Sequence, residues 1–365
     1  MNGKTDGRAI VYCEGSFNMT NGKTAHGLVR YTERYEVAGV IDSRYAGSDS
    51  GSVLDGKANG IPIFKDLTEA VDFSLGGVTP GDNFIIGLTP DGGRLPPEAK
   101  NEVKAAISMG LNVVCGLHDR LSEDPELSVL AADRSVTITD VRKPPPLDDL
   151  HFFTGKIEEV TSLKVAVLGS DSAVGKRTTS MALFRDLKKR GITTEIVGTG
   201  QTSWMQGVGY SVIFDSLIND FVSGEIEHVV WNAWKEKNPQ VIIIEGQGSL
   251  MNPAYPSGLE ILAASRPDLV VFQHSHTREE YDGFPGYPIE PINRQLQAIE
   301  VLSGVAVVAI TLNHEGLRPE DVPGVSDCMR RTTGIPVFDV LRDGSDGLID
   351  VLIPFIKKRG GSGES

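Results

Sequence analysis

Between Leu163 and Thr179 the chain reads Leu-Lys-Val-Ala-Val-Leu-Gly-Ser-Asp-Ser-Ala-Val-Gly-Lys-Arg-Thr-Thr: an apolar strand, a glycine-bounded loop, and a lysine that opens a helix. Such a loop turns several backbone N–H groups inward. The helix adds its positive N-terminal end and Lys176 adds a mobile charge, so the segment reads as a phosphate cradle on a parallel α/β sheet. The cradle consists of Ser170, Asp171, Ser172, Ala173, Val174, Gly175, Lys176, Arg177, Thr178 and Thr179. Two departures from the common motif narrow its chemistry. Five residues separate Gly169 from Gly175, and Arg177 stands where Ser or Thr usually holds magnesium. Either Thr178 or Thr179 takes the metal, or the site works without one and Arg177 grips phosphate oxygens as a second fixed cation. The bland alternative is a strand-to-helix turn that binds nothing.

Composition limits the partners. The chain has 365 residues, 40% of them hydrophobic and 23% charged, which suits two soluble globular domains. A net charge of −14 argues against nucleic acid or an anionic membrane as the partner and leaves a small molecule. Three widely spaced cysteines, Cys13, Cys115 and Cys328, fit a reducing cytoplasm and buried inert thiols. The polar N-terminus carries no secretion signal, and no apolar run reaches the ~20 residues of a membrane span. A cytoplasmic protein is expected.

Lys143-Pro-Pro-Pro146 followed by two aspartates suits neither a helix nor a central strand, so the domain boundary is placed there: 1–145, then 146–358, with 359–365 as a flexible tail. Before the boundary, strands are expected at 9–13, 37–41, 84–88, 112–116 and 137–139, with a helix opened by Pro96-Pro97. After it they are expected at 164–168, 194–197, 241–244, 269–272, 305–312 and 336–340. Strands alternating with helices imply α/β domains with parallel sheets, and ligands at the carboxyl ends of the strands.

Those ends supply the candidate chemistry of the second domain. Glu245 closes a Val-Ile-Ile-Ile run, the place of a Walker B acid, and can serve as general base, hold a metal-bound water, or pair with Lys176. His274 and His276 follow the fourth strand, and His274 is a second candidate base. A metal site is not expected of this histidine pair, which lacks a nearby ligand set. Asn313 follows the fifth strand, where an amide can read an adenine edge. Asp215 and the segment 220–225 read as helical, their carboxylates either near the site or solvated. The first domain has a glycine loop from Gly15 to Gly22 and Asp42 at the end of the next strand, but its spacing fits no dinucleotide fingerprint.

These residues carry a resemblance. The loop from Gly169 to Lys176 is similar to that of dethiobiotin synthetase, which shares the five-residue gap. Over nearly the whole chain the sequence resembles the D-glutamate N-acetyltransferase family, through 22–30, 116–118, 140–142, the phosphate loop, 200–202, 245–250, 273–274 and 312–317. The resemblance implies an N-terminal Rossmann-like parallel sheet and a C-terminal P-loop NTPase-like parallel sheet. It also implies acetyl-CoA as donor and D-glutamate as acceptor, within D-amino-acid metabolism. The chain departs from the family pattern at Ser203, Asn252 and the run His276-Thr277-Arg278. Those departures bear on acceptor identity more than on donor use.

On this reading Lys176, Arg177 and the loop amides hold coenzyme phosphate, and Asn313 meets the base. Glu245 or His274 takes the amine proton, and the loop 246–252 offers donors to the oxyanion. Arg142 and Arg278 are the candidates for substrate carboxylates, with Gln201, Gln247, Ser249 and Asn252 as further substrate contacts. Direct transfer is expected, since no nucleophile elbow is present. Two rival readings stand beside it: an ATP- and magnesium-dependent ligase or kinase of the dethiobiotin synthetase type, and a non-catalytic nucleotide or metabolite sensor. By analogy with related P-loop enzymes, a homo-oligomer, dimer or tetramer, is expected.

Overall fold

A computed structural model describes residues 5–73 and 77–360. The chain divides into two compact units: one runs to Pro144 and takes in Gln201–Val208, and the other holds Pro145–Gly200 and resumes at Gly209.

The first unit is a six-stranded sheet in the order β3-β2-β1-β4-β5-β6, with β1 Arg8–Tyr12, β2 Glu36–Ile41, β3 Ile63–Phe64, β4 Asn83–Ile86, β5 Asn112–Cys115 and β6 Ile138–Asp140. Every pairing is parallel. The chain winds outward from β1 to β3 and then restarts at β4 on the other side of β1, so the crevice for a ligand lies where β1 and β4 end. Covering helices start where the sequence signals them. Pro97 opens the helix Pro97–Ser108, and Asp124 caps Pro125–Arg134 by accepting from the amides of Glu126 and Leu127.

The second unit is a seven-stranded parallel sheet in the order β13-β12-β11-β7-β10-β8-β9. Its strands are β7 Leu163–Gly169, β8 Thr194–Gly198, β9 Tyr210–Ser211, β10 Val241–Glu245, β11 Leu269–Ser275, β12 Val307–Asn313 and β13 Val337–Phe338. Central strands β7 and β10 are buried along their whole length, which is why residues 165–168 and 241–244 within them read as apolar runs. Their residues Ala166, Leu168, Ile242 and Ile244 join Phe272 and the helix residues Ile226, Val230 and Ile261 in one core. Buried Glu227, on the helix Asn219–Lys237, accepts from the amide and hydroxyl of Thr154 and from the amide of Ile157, which anchors the segment after the prolines.

The structure revises several local expectations. Strand β11 continues through His274 and Ser275, paired with Leu312 and Asn313, so His274 lies within a strand and not after it. The helix Asp346–Gly360 includes Arg359, which bonds Asp268 and the Thr161 carbonyl, so the expected tail is still anchored helix at Arg359; 361–365 lie outside the described residues. Glu225, on the helix expected over 220–225, accepts from the His151 amide. Cys13 and Cys115 are buried, their thiols pushed up chiefly by burial, while Cys328 is exposed.

Candidate functional site

The phosphate loop leaves β7 and returns into the helix Lys176–Lys189. Two residues take left-handed backbone conformations, Ala173 at φ +53° and Gly175 at φ +108°, and these turn successive amides to one side. The amides of Ser172, Ala173, Val174 and Gly175 have no hydrogen-bond partner among the described residues. That is the donor set a phosphate needs. Lys176 Nζ donates to the Asp171 carbonyl at 2.6 Å and to the Gly248 carbonyl at 2.8 Å, so its ammonium lies across the mouth of the loop.

Arg177 does not extend the cradle freely. Its Nε lies 3.0 Å from Glu245 Oε1, and the carboxylate is buried. The strand-end acid therefore pairs with the residue after the lysine. Thr179, one of the two threonines offered as a metal ligand, donates instead to Gln273 Oε1 at 2.6 Å. Thr311 donates to the same oxygen at 2.6 Å, and the Gln273 carbonyl accepts from the Ser170 amide at 2.9 Å. Gln273 thus locks the loop, its helix and β12 together. The sequence reading did not give it that role, although a polar residue ending the apolar run Leu269–Phe272 was the available signal.

Asp171 is a second hub, fully buried. It accepts from Asn252 Nδ2 at 2.9 Å, Arg278 Nη1 at 3.0 Å and the Asp282 amide at 2.8 Å. Arg278 also donates to the Ser172 carbonyl at 2.7 Å and lies 3.3 Å from Glu315. Asn252 orders the following turn by accepting from Ala254 and Tyr255, and its own amide donates to Ser249 Oγ. Asn313 donates to the Val174 carbonyl at 3.0 Å and accepts from the Glu315 amide. The side chains of Asp171, Ser249, Asn252, Arg278 and Asn313 therefore all brace the loop.

The segment after β10 approaches closely. A Cβ at Gly246 would meet the Val167 carbonyl at 2.2 Å, and Gly248, at φ +56°, would meet the Tyr255 carbonyl at 2.0 Å. Amides of Gly246 and Ser249 are taken by Val167 and Tyr255, while those of Gln247 and Gly248 have no partner among the described residues. Gln247 lies beside Gly200. His274, whose Nδ1 is buried without a partner among the described residues, is lowered to about 4 by burial and by His276, so the ring is neutral at physiological pH. Side chains alternate along β11, so His274 points to the sheet face opposite Gln273. His314, beside Asn313, holds Nδ1 2.5 Å from the buried carboxylate of Asp339, a pairing that the sequence reading missed.

Two expected substrate contacts belong to the other unit. Arg142 Nη1 lies 2.5 Å from His118 Nε2, and Gln201 packs where a side chain at Gly116 would otherwise stand.

Comparison with known proteins agrees with this organisation. Residues 151–349 match the family model described as "Domain of unknown function (DUF1611_C) P-loop domain", and 43–144 match the DUF1611_N Rossmann-like domain. Two relatives bear the name D-glutamate N-acetyltransferase. The one from a Pseudoalteromonas species is 32% identical over 73% of this chain and 80% of its own length; that from Tritonibacter scottomollicae is 29% identical over 74% and 80%. A crystal structure of a DUF1611 family protein from Anabaena variabilis, 30% identical, superposes with a TM-score of 0.86 over 95% of this chain and 99% of its own. Both domains, in this order and over nearly the whole chain, place the protein in the DUF1611 family, which it shares with these two D-glutamate N-acetyltransferases.

Proposed function

We propose that the second unit transfers an acetyl group from acetyl-CoA to the amine of D-glutamate or a closely related amino acid. The names of the two relatives support the reaction. The observation that carries the reading for this chain is the 3.0 Å pair between Arg177 and Glu245. A resident guanidinium occupies the place beside the strand-end acid that a nucleotide-bound magnesium takes in phosphoryl-transfer enzymes. A cradle of loop amides, Lys176 and Arg177 suits the pyrophosphate and 3′-phosphate of a coenzyme whose phosphates only bind and do not react.

In the reaction the amine nitrogen forms a bond to the acetyl carbon, the carbon–sulfur bond breaks, and the thiolate leaves with a proton. Free amides of Gln247 and Gly248 suit the oxyanion, one strand-end step from Glu245. Glu245 or the neutral ring of His274 accepts the amine proton, directly or through water. Asp171 and Arg278 act as positioning residues that hold the loop, and Asn313 supports it through the Val174 carbonyl.

Release of free thiol from acetyl-CoA is the test, run across D- and L-amino acids with and without ATP and magnesium. The expected result is release with D-glutamate and no ATP, with Lys176→Ala lowering affinity for coenzyme A by roughly 10- to 100-fold, as loss of a charged hydrogen bond implies. ATP hydrolysis with no thiol release would overturn the acetyl-transfer reading in favour of a ligase; silence in both assays would favour a sensor.

A further inference from the structure

The first unit carries an unassigned crevice at the place where open α/β sheets bind ligands, beside the carboxyl ends of β1, β2 and β4. Two cavities of about 280 and 230 Å³ lie there and share a wall made by Tyr12 and Glu14. Taken together they are of the size of small-molecule sites, roughly 300–1,000 Å³. Their charged lining is one-sided: Glu14, Asp66, Glu98 and Glu102 against the single cation Lys65. Such walls repel a pyrophosphate, so the Rossmann-like topology does not here imply a dinucleotide.

The second observation is Tyr12. It is 4% exposed and lines both cavities, yet its hydroxyl has no hydrogen-bond partner among the described residues. With no protein partner, that hydroxyl is left to bond whatever occupies the cavities. Its ionisation is pushed up by burial and then by the charges of Glu102, Glu14 and Glu98, which places the phenol among those carboxylates. Glu102 has no ion-pair or hydrogen-bond partner among the described residues, and burial, Asp66 and Glu14 all raise it. Among the described residues Glu14 is bonded only by the amide and hydroxyl of Ser43, neutral donors that leave its charge uncompensated. No group of three or more acidic or histidine side chains among the described residues converges to hold a metal ion. The negative charge is instead spread along two adjoining spaces, as suits an extended organic cation.

We propose that this crevice binds a small organic amine, a diamine or basic amino acid whose ammonium group is held by Glu102 and Glu14 and hydrogen-bonded by the Tyr12 hydroxyl. Every residue that lines the site belongs to the first unit. The site does not depend on which reaction the phosphate cradle serves.

Titration calorimetry of the full-length protein with 1,4-diaminobutane, and with 1,4-butanediol as its uncharged analogue, tests the proposal. The diamine gives saturable heat that added salt weakens, and the diol gives none. Glu102→Gln weakens diamine binding by at least fivefold, and Tyr12→Phe by at least threefold. Glu98→Gln, at an exposed position, gives the same direction should either of the other variants fail to fold. Absence of saturable diamine heat, equal binding of the diol, or affinity unchanged in all three variants overturns it.

Discussion

Two parallel sheets in one chain present opposite chemistry at the same topological place. In the second unit the edge near β7, β10 and β11 offers unpartnered amides, Lys176 and Arg177. In the first, the edge near β1, β2 and β4 offers Glu14, Glu98, Glu102 and Tyr12. Backbone topology fixes where a ligand sits; the short loops leaving the strands fix its charge. Each unit also steadies its first loop with one fully buried aspartate. Asp171 pairs with Arg278 at 3.0 Å, and Asp42 accepts from the Phe17 amide at 2.9 Å and from Arg44 Nη2 at 2.7 Å. For Asp42, burial alone would raise the carboxyl, and the bonds from Arg44 and the backbone amides outweigh it and hold it below the ordinary value.

The largest effect is expected from removing these hubs. Arg278 is mostly buried, so Asp171→Ala leaves a guanidinium without its main partner and costs about 3–5 kcal/mol of stability. Arg44 is more open to solvent, so Asp42→Ala costs less, about 1–3 kcal/mol, mainly through the orphaned Phe17 amide. Urea unfolding of both variants checks the order. Equal losses would break the parallel between one hub buried with its partner and one only half covered.

Much of this was legible in the sequence, for identifiable reasons. Fully buried strands such as Val241–Glu245 announce themselves as apolar runs, and the phosphate loop by its glycines and lysine. Strands β3 and β9 are two-residue edge strands, too short for any periodicity to register. Partnerships across long separations were also hidden: Asp171 lies 107 residues from Arg278, and Thr179 lies 94 from Gln273. The segment Gln201–Val208 follows β8 of the second sheet but packs in the first unit, where Thr202 bonds Thr24 at 2.7 Å and Gln206 donates to the carbonyls of Gly27 and Tyr31. A linear division at the prolines has no means of finding such an excursion. The acidic crevice was hidden for the same reason, since Tyr12, Asp66 and Glu102 meet only through the order of the strands.

A second comparison concerns acid. Among the described residues each unit contains a histidine lowered to about 4: half-buried His26, through burial and Arg30 against the opposing pull of the Phe17 carbonyl, and buried His274, through burial and His276. As pH falls below about 6.5 the unfolded chain takes up these protons first, so the stability each neutral ring contributes is full above that pH and is lost progressively toward about pH 4. The loss is roughly 2–3 kcal/mol per histidine. Urea unfolding at pH 7 and pH 5 gives the slope, and His26→Phe and His274→Phe each flatten it. Ring proton resonances titrating near pH 6.5 for either residue would show that the ring is solvated.

The smallest effect sharpens the contrast between the two edges without any ligand. Glu102 is raised by burial and by the neighbouring Asp66 and Glu14, so its ionised form is disfavoured in the folded chain. Such a group costs stability once pH rises above the ordinary carboxylate range, and the cost disappears when both states are protonated. Glu102→Gln is therefore expected to stabilise the protein at pH 7, by about 0.5 kcal/mol for a half-exposed site, and to change nothing near pH 3.5. Natural carboxylates that cost stability in the free protein are most readily understood as a binding surface. If Glu102→Gln destabilises at pH 7, the carboxylate is already serving the fold, and the acidic edge is structural scaffolding with no ligand to explain.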